Sequence, residues 1–177
     1  MLETERLKII PLEERHLPLL RKMRSDKDTW YWLTNVSPIN EIKQVDWFEK
    51  MSNDPTKIYF AIENKDTGTF IGILRADEWD KVNRSIRIGV DIDKTYRQKG
   101  FGKEAFLEFI KYFFLHLNIH RIWLLVAEYN KVAQELYKKI GFKLEGIQGE
   151  ALFRNGKYRD YLMFSLIDKD YFDKYGS

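Results

Sequence analysis

The sequence predicts an α/β (α+β) fold: a single mixed, mostly antiparallel central sheet of about seven strands, with helices on both faces. Two observations carry this. Apolar-rich segments between residues 57 and 92 are separated by tight polar turns, as in antiparallel strands. The pattern then switches to helix, apolar strand, helix, and closes with two further strands about the turn Asn155-Gly156.

Residues 6–11 form a short apolar strand ended by Pro11. Residues 13–24 place Leu17, Leu20 and Met23 on one helical face. The stretch 25–40 is rich in Trp, Tyr and polar turn residues and has no period, so it is read as irregular. Helical spacing resumes with Ile42, Val45 and Phe48 and runs to Met51. Residues 57–63 read as a strand and 64–68 as a turn; Phe70 opens the next strand, giving a hairpin. After a second turn at 81–84, residues 85–92 alternate apolar and polar as a third antiparallel strand. Residues 102–117 carry Ala105, Phe106, Phe109, Ile110 and Phe113 as an amphipathic helix. Residues 121–126 are almost continuously apolar, as a strand covered on both faces should be. Residues 131–140 form a helix with Ala133, Leu136 and Tyr137 inward and Gly141 as its C-terminal cap. Residues 142–146 and 158–166 close the sheet. No repeat or linker interrupts this order, so residues 1–177 are read as one domain.

Bulk composition narrows the function. Hydrophobic residues make up 44% and aromatics 15%, enough for a core without disulfide or metal staples. The absence of cysteine excludes a thiolate zinc site and a cysteine nucleophile. Thirty basic and 27 acidic residues balance too evenly for nucleic acid to be the main partner. No apolar run approaches the roughly 18 residues of a membrane span, and the first residues lack signal-peptide character. The expectation is a cytoplasmic protein without nucleic-acid or membrane partners. His16, His116 and His120 lack i, i+4 pairing, and no metal is expected.

The most informative local arrangement is strand, then Arg97-Gln98-Lys99-Gly100-Phe101-Gly102, then helix. A helix N-terminus leaves amide groups unpaired and partially positive. Glycines let the backbone approach an anion, so the segment makes a pyrophosphate cradle, with Arg97, Lys99 and Lys103 adding charge. A plain helix start with solvated basic residues is the competing reading. Further on, Asn130 precedes a helix on which Tyr137 lies about two turns later. Asn130 caps that helix or bonds a ligand amide, and Tyr137 is a ligand group or a core residue.

Taken in order, these motifs resemble the GNAT superfamily of N-acetyltransferases, and within it the ribosomal-protein N-terminal (RimJ/RimL) type. The resemblance runs from Thr4-Glu5-Arg6-Leu7 to Asn155-Gly156-Lys157-Tyr158-Arg159-Asp160. It passes through Phe70-Ile71-Gly72, Ile88-Gly89-Val90, the Arg97 loop and Gly141-Phe142-Lys143-Leu144-Glu145-Gly146. It implies an acyl-CoA N-acyltransferase fold with acetyl-CoA as co-substrate and a homodimer as the family-level expectation. Main-chain groups of Val90 and Ile92 would hold the pantetheine arm, and amides from Gln98 to Lys103 the pyrophosphate. Asn130 would contact the CoA arm, and Tyr137 would protonate the departing thiolate.

An amine attacks a thioester only when neutral, and its pKa is near 10, so the site must take up a proton. The glutamate common two residues before the strand glycine is Arg87 here. The base candidates that remain are Glu78, which we favour, Asp77 and Glu128, with a water chain as competitor. Trp30-Tyr31-Trp32 lies where the superfamily builds its acceptor side. The acceptor is expected to be a protein N-terminus, a polyamine, an amino sugar on a nucleotide, or an aminoglycoside-like amine. An acidic groove would suit polyamines and a basic one nucleotide sugars. The alternative function is a non-catalytic acetyl-CoA-binding sensor.

Overall fold

The computed structural model describes residues 1–33 and 36–176. The polar turns at 64–68 and 81–84 bring β3 (Ile58–Asn64), β4 (Phe70–Asp80) and β5 (Ser85–Ile92) together as an antiparallel meander. β2 (Leu7–Pro11) pairs outside β3, and β1 (Leu2–Glu3) outside β2. β6 (Arg121–Ala127) joins the far side of β5 in parallel, followed by β8 (Lys157–Ile167) and β7 (Lys143–Arg154). The sheet thus has eight strands in the order β1-β2-β3-β4-β5-β6-β8-β7. The additional strand, β1, has two residues, too few to show a period.

The helices are α1 (Leu17–Ser25), α2 (Lys27–Trp30), α3 (Glu41–Ser52), α4 (Phe101–His116), α5 (Lys131–Ile140) and α6 (Asp168–Tyr175). α5 has the expected bounds for two local reasons. Asn130 accepts a hydrogen bond from the Ala133 amide at 3.2 Å, and Gly141 ends the helix with φ of 119°. The irregular stretch 25–40 contains the short α2, capped by Asp26; its residues Thr34 and Asn35 lie outside the described residues. β7 extends well past the expected 142–146 to Arg154. It is the sheet's last strand and mostly exposed, so its side chains carry little apolar alternation.

Strand alternation divides the core between the two faces. Phe60, Ile62, Leu74, Ala76, Ile86 and Ile88 pack with α4 through Phe106, Phe109 and Phe113. The same cluster takes in Tyr137 and Ile140 of α5 and Tyr171 of α6. On the other face a smaller cluster joins Ala61 and Ile73 to Leu20 and Met23 of α1 and Met51 of α3. That alternation also sends Arg75 and Asp77 of β4, and Arg87 and Asp91 of β5, to the face of α1 and α3. A cavity forms there.

Candidate active site

β5 and β6 pair only at Ser85, Ile86 and Arg87, opposite Arg121, Ile122 and Trp123. Past that point each strand keeps its outer partner, β5 on β4 to Ile92 and β6 on β8 to Ala127. The sheet therefore opens between them. The Asp93 amide donates to the Ile71 carbonyl at 2.8 Å. This fixes the phase of the β4–β5 ladder, so the main-chain groups of Val90 and Ile92 point away from β4 and into the opening. The Ile92 carbonyl already accepts from Arg97 Nε at 2.9 Å. The arrangement suits an extended amide-bearing arm that docks as an added strand.

At the end of this opening lies the loop before α4. Gly100 is the N-cap, with φ of +86° and no side-chain cap. The amides of Phe101, Gly102 and Lys103 thus keep their donors at a partially positive helix end. Glu104 in the same turn is turned aside: it accepts from Thr4 Oγ1 at 2.5 Å and from Arg6 Nε at 2.7 Å. Burial resists ionisation of Glu104, but these hydrogen bonds hold its pKa below the usual carboxylate value. Arg6 also donates to the Lys99 carbonyl and lies over the Phe101 ring at 4.3 Å. The Thr4-Glu5-Arg6-Leu7 segment therefore clamps this loop.

Arg97 has a different place from its sequence neighbours. Its guanidinium donates to Ile92 O, to Asp28 O at 2.7 Å and to Thr29 Oγ1 at 2.7 Å. It braces α2 against β5, whereas Lys99 and Lys103 are exposed beside the loop. A valine at Gly100 would meet Arg6 Nη2 at 3.1 Å and be forced into a left-handed conformation, a strain of about 1–3 kcal/mol that the loop relieves by moving its amides. Gly100→Val is expected to weaken CoA at least about tenfold by calorimetry; unchanged affinity would remove the cradle from the account.

Tyr137 is buried among Phe106, Phe142 and Phe164. Burial pushes its phenol up to about 12; smaller effects come from Arg75, which lowers it, and Asp91, which raises it. Asp91 pairs with Arg75 at 3.3 Å and with Arg24 at 3.2 Å. Its burial resists ionisation, yet the two guanidiniums hold its carboxyl below the usual range.

A cavity of 440 Å³ lies under α1 and α3 on this face. Arg75, Asp77 and Arg87 from the sheet line it, as does Trp30. Tyr31 and Trp32 instead pack on Tyr129, at ring distances of 5.2 and 5.5 Å. Asp77 is buried and accepts from the Tyr59 hydroxyl at 2.8 Å, with Arg87 at 3.8 Å. Glu78 sits at a β-bulge with φ of 55°; its side chain is 54% exposed, pairs with Arg87 at 3.0 Å and is not on the cavity wall. Glu128 pairs with Arg159 at 3.3 Å. His16 is buried and bonded to Glu63 at 3.1 Å. The arginines of the cavity were not singled out in the sequence, where only Arg87 stood out, as a replaced glutamate.

A sheet that opens beside a helix N-terminus, with a buried tyrosine on one side and a polar cavity on the other, defines a CoA-type acyltransferase. Residues 6–143 match the Acetyltransferase (GNAT) domain, and the chain belongs to that family. It is an acetyl-CoA-dependent N-acetyltransferase. It is similar to the uncharacterized N-acetyltransferase p20 of Bacillus licheniformis, at 29% identity over 96% of this chain and 97% of that one. Its structure resembles spermidine N-acetyltransferase from Vibrio cholerae, solved with CoA and spermine. The TM-score is 0.89 at 25% identity, covering 95% of this chain and 99% of that one. The putative ribosomal N-acetyltransferase YdaF of Bacillus subtilis is 30% identical over 59% of this chain and 57% of its own length.

Proposed function

We propose that acetyl-CoA lies in the β5–β6 opening, that a primary amine enters the cavity under α1 and α3, and that Tyr137 is the general acid. One observation supports this most. Arg75 lines the cavity and pairs at 3.3 Å with Asp91 of β5, the strand whose main-chain groups at Val90 and Ile92 border the opening. Acceptor and donor therefore meet at this point. The pantetheine arm takes main-chain partners from Val90 and Ile92, the pyrophosphate takes amides from Gln98 to Lys103, and Asn130 contacts the arm.

In the reaction the amine nitrogen bonds to the thioester carbonyl carbon, and the carbon–sulfur bond then breaks. The Val90 amide steadies the transient oxyanion. The departing sulfur takes the Tyr137 proton. The ammonium proton passes to a carboxylate, directly or through water. For that carboxylate Asp77 is favoured over Glu78, because it is buried on the cavity wall while Glu78 is exposed and held by Arg87.

Thiol release from acetyl-CoA, measured with and without amines, tests the reading. Amine-dependent release supports it, and CoA binding without release on any amine favours the sensor instead. Within that assay Asp77→Asn is expected to lower kcat about 100-fold, and Glu78→Gln far less. The reverse ranking would return the role to Glu78. The Vibrio cholerae relative brings a polyamine acceptor into view, and a protein N-terminus or an amino sugar are the other acceptors in question.

A further inference from the structure

We propose that the acceptor is a small amine that also carries an anionic group, a phosphate or a carboxylate, seated on the cavity's arginines. The inference rests on reading the cavity as the acceptor site. Its walls carry four guanidiniums, from Arg21, Arg24, Arg75 and Arg87, against a single carboxylate, Asp77. The other carboxylates that pair with them stand off the wall: Glu41 with Arg21, Asp91 with Arg24 and Arg75, and Glu78 with Arg87. Those pairs hold the guanidiniums in place, so that the wall itself presents four guanidiniums and one carboxylate.

Hydrogen bonding points the same way. Among the described residues, three buried side-chain polar atoms have no partner: Arg24 Nε, Arg87 Nε and Gln44 Oε1. All three residues line this cavity. Unpaired buried donors and acceptors are costly, and proteins rarely keep them without a reason. Two cationic donors call for an anion with several acceptor oxygens, and guanidiniums match phosphate and carboxylate in shape. Gln44 Oε1 accepts only, and calls for an N–H or O–H. An amine that bears an anion supplies both. A polyamine supplies only N–H groups and brings several positive charges to a wall of guanidiniums. The volume suits a small molecule.

The test compares glucosamine 6-phosphate with glucosamine and 4-aminobutanoate with butylamine, with spermidine beside them. Two readouts are used: thiol release from acetyl-CoA, and tryptophan fluorescence with CoA bound, since Trp30 and Trp47 line the cavity. At least one anion-bearing amine should exceed both its counterpart and spermidine by about tenfold or more, in kcat/KM or in affinity. Arg87→Met should erase that preference. Whichever pair responds separates phosphate from carboxylate. Ser25→Trp, an exposed position on the cavity rim, tests the location. It should weaken every amine and leave CoA affinity alone. If Ser25→Trp affects no amine, the cavity is not the acceptor site and the underlying reading fails. If it blocks amines but neither anion-bearing compound is preferred, or Arg87→Met leaves the preference intact, the anion inference alone is overturned.

Discussion

Tyr137→Phe is expected to lower kcat by about 100-fold while CoA affinity changes less than about twofold. The substitution removes one oxygen and keeps the ring that packs on Phe106, Phe142 and Phe164, so the fold and the opening persist. In the proposed mechanism, what is lost is the proton for the departing sulfur. Burial pushes this phenol up to about 12 from an ordinary value of 10. The folded state therefore holds the proton more tightly than the unfolded chain. Its contribution to stability is complete below pH 10 and is lost as pH rises through about 12. The acid is consequently present at every pH below 10. Turnover should rise on the alkaline side as the amine deprotonates, with no fall from Tyr137 in that range. Steady-state kinetics of the variant beside CoA calorimetry separate the two effects. Equal kcat would remove the acid role.

Gly72→Val should have the largest effect on folding. A Cβ at Gly72 would lie 2.2 Å from the Asp91 carbonyl oxygen and 3.0 Å from Ile92 Cα. Both obstacles are backbone, so no rotamer change relieves them. β4 and β5 must separate at the Gly72–Ile92 pair, where β5 presents Val90 and Ile92 to the opening. A stability loss of about 3 kcal/mol or more is expected in urea unfolding, together with weakened CoA binding in the fraction that folds. A change below about 0.5 kcal/mol would mean that the two strands are not held this closely.

These two residues also show what was readable in the sequence. Tyr137 stood out because Asn130, seven residues earlier, is a local cap signal, and Gly141 a local stop; both act within one helix. The Gly100 loop was readable for the same reason. Gly72 stood out only through family resemblance, since its cause is contact with the neighbouring strand. Arg97 reads as phosphate charge in the sequence because side-chain partners on α2 have no local signature. The cavity under α1 and α3 is least visible in the sequence. Arg24, Gln44, Arg75 and Arg87 come from two helices and two strands, and only sheet register and helix packing bring them together. Nothing in the sequence locates the bulge that gives Asp77 and Glu78 different environments. The eighth strand and α6 escaped notice for simpler reasons: β1 has two residues, and α6 is polar apart from its aromatic side.

The most direct test is a crystal structure with CoA bound. The pyrophosphate is expected on the amides between Gln98 and Lys103, the pantetheine arm paired with Val90, and the CoA sulfur about 3–3.5 Å from Tyr137 Oη. A sulfur placed outside the β5–β6 opening, out of reach of Tyr137, would contradict the proposed mechanism.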